Sequence, residues 1–93
     1  MLWAAKENDI KGVQRLVAKG VPVAVKDSDN RTPLHLASAE GHLDLVKYFI
    51  SHGHPVYVRD RWGAAPIDNA TREERSDVIK FISEFQSSTH NTV

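Results

Sequence analysis

Apolar residues near the middle of the chain are spaced as one face of a helix from Leu43 to Ile50, and Gly53 follows as a stop. Another helical stretch precedes this one. Thr32 can cap that helix, Pro33 suits its first turn because no N–H is needed there, and Gly41 marks its end. The pattern predicts two antiparallel helices joined by a tight turn.

The N-terminal stretch shows the same pattern in a shorter form. Apolar spacing over residues 2–5 and 10–17 predicts two short antiparallel helices. A predicted turn between them contains Asn8 at the place that Gly41 takes in the following pair. Asn is a common substitute for Gly in the left-handed conformation that ends a helix, so this turn is expected to match the next one.

The C-terminal stretch departs most from this pattern. We expect a last helix over Asp77–Phe85, with Ser76 as its cap and its apolar residues, Phe85 included, facing inward. Glu74 stands where Gly41 stood, and a left-handed residue that is not Gly costs about 1 kcal/mol. The polar residues 87–93 are predicted to form a disordered tail.

These similarities recur at an interval of 33 residues. Leu16–Asp27 returns as Phe49–Asp60, and Thr32–Ala37 returns in weaker form as Ala65–Ala70. A period in this range indicates stacked units, each too small to bury its own apolar face. We predict one domain over residues 1–86 that consists of three repeats. They are an N-terminal capping repeat (1–26), a central repeat (27–59) and a C-terminal capping repeat (60–86).

Thr-Pro-Leu-His-x-Ala at residues 32–37, combined with this period, resembles the ankyrin repeat. The resemblance implies an all-α solenoid of stacked helix-turn-helix units with β-hairpin fingers. It also implies a protein–protein interaction module, so function is expected in a binding surface and not in an active site.

Several short segments are also similar to the C-terminal ankyrin segment of eukaryotic mitochondrial glutaminases. They are Leu2-Trp3-Ala4-Ala5, Asp9, Arg31-Thr32, Leu34-His35, Ala39-Glu40-Gly41-His42, Val46-Lys47 and Asp60-Arg61-Trp62. This resemblance implies a non-catalytic segment of a larger enzyme resembling glutaminase. It further implies an intracellular protein, mitochondrial if the resemblance holds and otherwise cytoplasmic.

Composition narrows the range of partners and of chemistry. Twelve basic and twelve acidic residues give a formal net charge of zero, so no overall field favours nucleic acid or an anionic membrane. The chain has no cysteine, which excludes disulfides, thiol nucleophiles and thiolate metal sites and fits a reducing compartment. We expect neither a cofactor nor a membrane-spanning segment.

The histidines are the candidates for chemistry. His35 follows Thr32-Pro33-Leu34, where the ankyrin resemblance implies a structural bond to a neighbouring unit; the alternative is a general base. His52 and His54, with His42, form the candidate metal cluster, but zinc requires three or four ligands. We expect solvated turn residues there and no metal.

Asp27 and Asp60 recur at the same phase of the repeat. Paired catalytic carboxylates are one interpretation; the favoured one is a structural bond, which in ankyrin repeats ties a hairpin to the next through backbone N–H groups. Trp62 is expected at a hairpin tip, where it either contacts a partner or lies over Arg31 or Arg61 in a cation–π contact.

The ankyrin resemblance also implies which positions bind a partner. The predicted set lies on the hairpin tips and the concave helix face: Lys26, Ser28, Asp29, Arg31, Ala39, Glu40, Arg59, Arg61, Trp62 and Arg72. Trp62 would be the anchor, and the arginines would form bidentate bonds to partner carboxylates. The alternative function is self-association through the convex or terminal faces, which would organise the oligomer of a parent enzyme.

Overall fold

The computed structural model describes the backbone of residues 1–90 and the side chains of residues 1–86. This part of the chain forms helices and turns without a strand, as the all-α prediction requires. The helices are α1 Leu2–Lys6, α2 Ile10–Ala18, α3 Pro33–Glu40, α4 Leu43–Ser51, α5 Pro66–Arg72 and α6 Ser76–His90. Consecutive helices form three pairs, as the period predicts.

The pairs stack side by side. Helix α3 packs against α1 on one side and α5 on the other, and each of these inner helices also packs on the outer helix that follows it. Helix α4 contacts α6 in the outer layer. Fully buried Leu34, Leu45, Phe49 and Ile82 fill the space between the layers, so the core runs through the whole stack.

Each pair turns through a residue in the left-handed conformation. The φ angles are +59° at Asn8, +75° at Gly41 and +58° at Glu74. The three positions are one period apart, and the predictions for Asn8 and Gly41 are confirmed. Glu74 keeps the same turn despite its side chain, so the third pair retains the common geometry with a backbone strain that Gly41 avoids.

Caps of the inner helices use different groups in successive units. Thr32 Oγ1 accepts the His35 backbone N–H at 3.4 Å, which confirms the predicted cap. Ala65 has no such oxygen; instead Asp68 Oδ2 accepts the Ala65 N–H at 2.9 Å. Ser76 was predicted to cap the last helix, but α6 begins at Ser76 itself, so Arg75 is the residue that precedes the helix.

The fingers between units are closed turns and not β-hairpins in the described part of the chain. The Asp27 N–H donates to the Arg31 carbonyl at 3.0 Å, and the Asp60 N–H donates to the Ala64 carbonyl at 2.9 Å. A second backbone bond in each finger, from Asn30 to the Asp27 carbonyl and from Gly63 to the Asp60 carbonyl, is a turn bond of 3.0 Å. These bonds close a turn and do not form a strand ladder, so this detail of the fold prediction is corrected. A chain reversal this short satisfies its remaining N–H groups through the aspartate side chains.

The C-terminal region differs from the prediction in two respects. Helix α6 runs to His90, so residues 87–90 are helical and not part of the predicted disordered tail; no Gly or Pro stops the helix there. Residues 91–93 lie outside the described residues. Phe85 was expected to face inward but is 39% exposed.

Candidate functional site

A groove of about 610 Å³ runs along the inner helices beneath the fingers. Helices α1, α3 and α5 supply its floor, and the two fingers supply one wall. The lining residues are Lys6, Arg31, His35, Leu36, Ala39, Glu40, Asp60, Trp62, Asn69, Arg72 and Glu73. The groove therefore collects polar, charged and aromatic side chains from all three units.

The 33-residue period accounts for much of this lining. Lys6, Ala39 and Arg72 occupy one phase, so stacking places them in a row across the groove. Glu40 and Glu73 share the next phase. The sequence prediction included Ala39, Glu40 and Arg72 but missed Lys6 and Glu73, which the same period points to.

Half of the predicted binding residues line the groove. These are Arg31, Ala39, Glu40, Trp62 and Arg72. The other half lie on the fingers outside it: Lys26, Ser28, Asp29, Arg59 and Arg61. Leu36, Asp60 and Asn69 line the groove without having been predicted as binding residues.

Trp62 projects from the second finger with 66% of its surface exposed. The Arg61 guanidinium carbon lies 5.4 Å from the centre of the indole ring, which is within cation–π range. Arg61, and not Arg31, therefore makes the contact that the sequence left open. The ring remains largely open to solvent, so this contact leaves most of its apolar surface available.

The two fingers are tied together by one aspartate. The Arg61 N–H donates to the Asp29 carbonyl at 2.8 Å, and Arg61 Nη1 donates to Asp29 Oδ1 at 3.1 Å. Arg31 Nε forms an ion pair with Asp27 Oδ2 at 2.9 Å. Asp27 and Asp60 each accept backbone N–H groups of their own finger, so their predicted structural role is confirmed. The predicted link between successive hairpins is wrong for both, and Asp29 provides that link instead.

The remaining two predicted arginines are also engaged within the chain. Arg59 Nη1 donates to the Gly63 carbonyl at 2.7 Å, which closes the second finger. Arg72 Nε lies 3.4 Å from Glu73 Oε2. Exposed pairs of this kind are worth about 0–1 kcal/mol, but they reduce the capacity of these groups for partner carboxylates.

His35 joins two units and is fully buried. Its Nε2–H donates to the Ala64 carbonyl at 2.8 Å, while Nδ1 accepts from the Thr32 hydroxyl at 2.9 Å. Burial lowers the pKa of His35, although the Ala64 carbonyl and nearby Asp60 act in the opposite direction. Both ring nitrogens are committed to structure, so the structural interpretation is confirmed.

The candidate metal histidines do not form a cluster. His52 Nδ1 donates to the Tyr48 carbonyl and His42 Nε2 to the Lys6 carbonyl, each at 2.8 Å. His54 was expected in solvent but is buried; its Nδ1–H donates to the Pro55 carbonyl at 2.9 Å, and Nε2 has no partner. The described residues contain no group of three or more His, Cys, Asp or Glu that could hold a metal.

Burial lowers the pKa of His54, with the Pro55 carbonyl opposing the shift. The buried position follows from the fold: α4 ends at Ser51, Gly53 adopts a φ angle of +84°, and the His54 N–H then donates to the Phe49 carbonyl at 3.0 Å, with the two rings 5.9 Å apart. The period places His54 at the phase of the apolar Val21 and the exposed His52 at that of Lys19, a signal that the sequence prediction did not use.

Over the described residues, no helix combines the length and the apolar character that a membrane crossing needs. A family model described as ankyrin repeats, in three copies, matches residues 1–92. The chain belongs to the ankyrin-repeat family. The three copies agree with the three helix pairs, and the predicted resemblance is confirmed.

Relatives of this ankyrin-repeat chain are similar over about half of it. A mitochondrial liver isoform of glutaminase from Rattus norvegicus is 44% identical over 48 residues, covering 52% of this chain and 8% of that protein. Ankyrin repeat domain-containing protein 49 from Mus musculus is 46% identical over 48 residues, covering 50% of this chain and 20% of that protein. The chain thus spans a small fraction of the length of these relatives.

Proposed function

We propose that this chain is a protein–protein interaction module that binds its partner in the groove and on the adjacent finger tips. The exposed ring of Trp62 carries this proposal. Trp is one of the residue types enriched among those that contribute most of the binding energy of an interface, and Trp62 lines the groove. Around it, Leu36 and Ala39 offer apolar contact, and Glu40 and Arg72 offer polar contact at the edges.

Comparison of two exposed aromatic residues tests the proposal. Tyr57 is 54% exposed but does not line the groove, which makes Tyr57→Ala a matched control for Trp62→Ala. Proteins captured from a cell extract by the immobilised chain would be compared by quantitative mass spectrometry. We expect Trp62→Ala to lower capture of the specific partner by about tenfold, with little effect of Tyr57→Ala. Equal effects of the two changes would contradict the proposal.

Self-association is a second candidate, and the burial of the first unit favours it. Four apolar residues of the first unit are only half-buried, whereas the residues one period later are buried. The half-buried residues are Leu16, Val17, Val21 and Val23, and the buried ones are Phe49, Ile50, His54 and Val56. These side chains leave apolar surface exposed in the first unit, and such surface is suited to pairing with another copy.

Sedimentation analysis separates the two candidates. Self-association through the N-terminal end predicts a dimer that Val21→Lys dissociates and Trp62→Ala leaves intact. A monomer at every concentration tested would remove this candidate. In a parent enzyme, such pairing would organise the oligomer.

We further infer that the chain is a non-catalytic segment of a larger enzyme resembling glutaminase. The identity to the mitochondrial glutaminase and the small fraction of that protein covered support this inference, and a mitochondrial location would follow from it. The hydroxyl that contacts the His35 ring, that of Thr32, is fully buried and does not line the groove, so the isolated chain is expected to show no glutaminase activity. Sequencing the gene that encodes the chain would reveal whether a catalytic domain accompanies it; an ankyrin array alone would contradict the inference.

A further inference from the structure

The first finger shows how an arginine completes this type of turn. Asp27 Oδ1 accepts the backbone N–H groups of Asp29 and Arg31, each at 2.9 Å. Asp27 Oδ2 accepts Arg31 Nε at 2.9 Å. One carboxylate oxygen therefore holds the turn, and the other holds a guanidinium group.

The second finger has the same turn without the arginine. Asp60 Oδ1 accepts the backbone N–H groups of Trp62 and Ala64, each at 2.9 Å. Ala64 occupies the phase of Arg31, so its side chain cannot reach Oδ2, and that oxygen receives no hydrogen bond within the described residues. Asp60 is only 9% exposed. A carboxylate this far from water gains strongly from a charged donor.

Other acceptors without partners lie in the same groove as Asp60. Glu40 is exposed and forms no ion pair within the described residues. Asn69 Oδ1 also has no hydrogen-bond partner among those residues, but this atom is buried from solvent, so a partner cannot reach it directly. Asp60 Oδ2 and Glu40 are therefore two acceptors on the groove lining whose hydrogen bonds the chain itself does not supply.

Donors on the lining are mostly in use. Arg31 and Arg72 pair with acidic residues of the chain, and both His35 nitrogens are bonded. Lys6 is the lining cation that has no ion pair among the described residues. The groove therefore has more free hydrogen-bond acceptors than free donors, so it suits a partner that donates hydrogen bonds. The sequence had instead led us to expect partner carboxylates, which accept them.

Building on the proposed function, we propose that the partner is a protein segment that inserts an arginine into the groove at Asp60. Its guanidinium group pairs with Asp60 Oδ2 as Arg31 pairs with Asp27, and the exposed Glu40 carboxylate is a further acceptor on the same lining. Arginine fits better than lysine because its planar fork has five donors and stacks on aromatic rings such as the neighbouring Trp62.

A phage-displayed library of random short peptides, selected on the folded wild-type chain, provides the probe. We expect the enriched peptides to share an arginine. Replacing that arginine by lysine or by citrulline, which is isosteric but uncharged, should weaken binding by about tenfold or more because the charge-assisted fork is lost. Binding would be measured by isothermal titration calorimetry with synthetic peptides.

Substitutions in the chain test where the arginine binds. Ala64→Arg restores the pair that the first finger contains, so it should raise the melting temperature and weaken peptide binding by about tenfold or more. Asp60→Asn keeps the oxygen that holds the turn but removes the charge, and should weaken binding by a similar factor. Asp27→Asn, the matched control in the first finger, should alter peptide affinity by less than about twofold because Arg31 is its partner there. Circular dichroism confirms that each variant is folded.

The outcomes distinguish this inference from the proposed function. Enrichment of acidic peptides, or arginine peptides that bind Ala64→Arg as well as wild type, overturns the arginine site. If such peptides still lose affinity with Trp62→Ala, the groove remains the binding surface. Peptides that are insensitive to every groove substitution, or no enrichment at all, overturn both proposals.

Discussion

Glu74→Gly removes a side chain from the left-handed turn between α5 and α6. The φ angle of Glu74 is +58°, in the region where a Cβ atom costs about 1–2 kcal/mol. The side chain is exposed and makes no hydrogen bond or ion pair with the described residues, so its removal costs no such contact there. Glycine makes the unfolded chain more flexible, which offsets about 0.4–1 kcal/mol of the gain. The expected net stabilisation is about 0.5–1 kcal/mol.

Urea denaturation followed by circular dichroism measures this change directly. A gain of this size should raise the melting temperature by roughly 2–8 °C in a domain of this length. Glu74→Ala is the matched control, because alanine keeps the Cβ atom and therefore the strain; we expect it to remain within about 0.5 kcal/mol of wild type. A loss of stability in Glu74→Gly would refute the strain argument and would mean that the Glu74 side chain supports the turn.

The turn at Gly41, the two buried histidines and the second finger can each be tested by a single substitution. Gly41→Val should destabilise the chain by about 2 kcal/mol or more in urea denaturation, because the φ angle is +75° and a Cβ would lie 2.9 Å from Arg75 Cδ; an unchanged midpoint would contradict this. Burial lowers the pKa of His35 and His54 from 6.5, so the unfolded chain binds more protons below that pH. The free energy of unfolding should therefore be highest above about pH 6.5 and should fall as the pH decreases toward the lowered pKa values of the folded chain. Denaturation of His54→Val at several pH values should show a weaker pH dependence. An equally steep dependence would show that His54 does not contribute. Trp62→Ala should leave the melting temperature within about 3 °C of wild type, because the ring buries little surface; unfolding would place Trp62 in the scaffold.

Local signals in the sequence predicted the helix pairs and their turns. Thr32, Pro33 and Gly41 act through their own backbone geometry, so their roles are readable without knowledge of distant contacts. The period then placed Ala39 and Arg72 in one row, because stacked units repeat the same geometry. Short-range rules and one repeat distance thus predicted most of the fold and part of the groove.

Features that depend on contacts between units were missed. His52 and His54 look alike locally, although the period pairs His52 with Lys19 and His54 with the apolar Val21. The structure shows that His54 is the buried one of the two. The missing arginine at Ala64 was visible in the sequence, yet its consequence depends on the turn that directs Asp60 Oδ1 toward backbone N–H groups. The ion pairs between exposed arginines and neighbouring aspartates could not be predicted, because they depend on side-chain positions and the repeat period gives only the positions of residues in the stack.

Site-specific photo-crosslinking inside cells shows whether partners bind in the groove. A photoreactive phenylalanine derivative placed at Ala39 lies on the groove floor, whereas the same group at Lys47 lies on the exposed side of the outer helix α4. We expect the photoreactive residue at position 39 to form a covalent adduct with another protein, and the same residue at position 47 to form none. The adduct from position 39 should be lost when the chain also carries Trp62→Ala. Adducts from Lys47 together with none from Ala39 would contradict the claim and place the binding surface on the convex side.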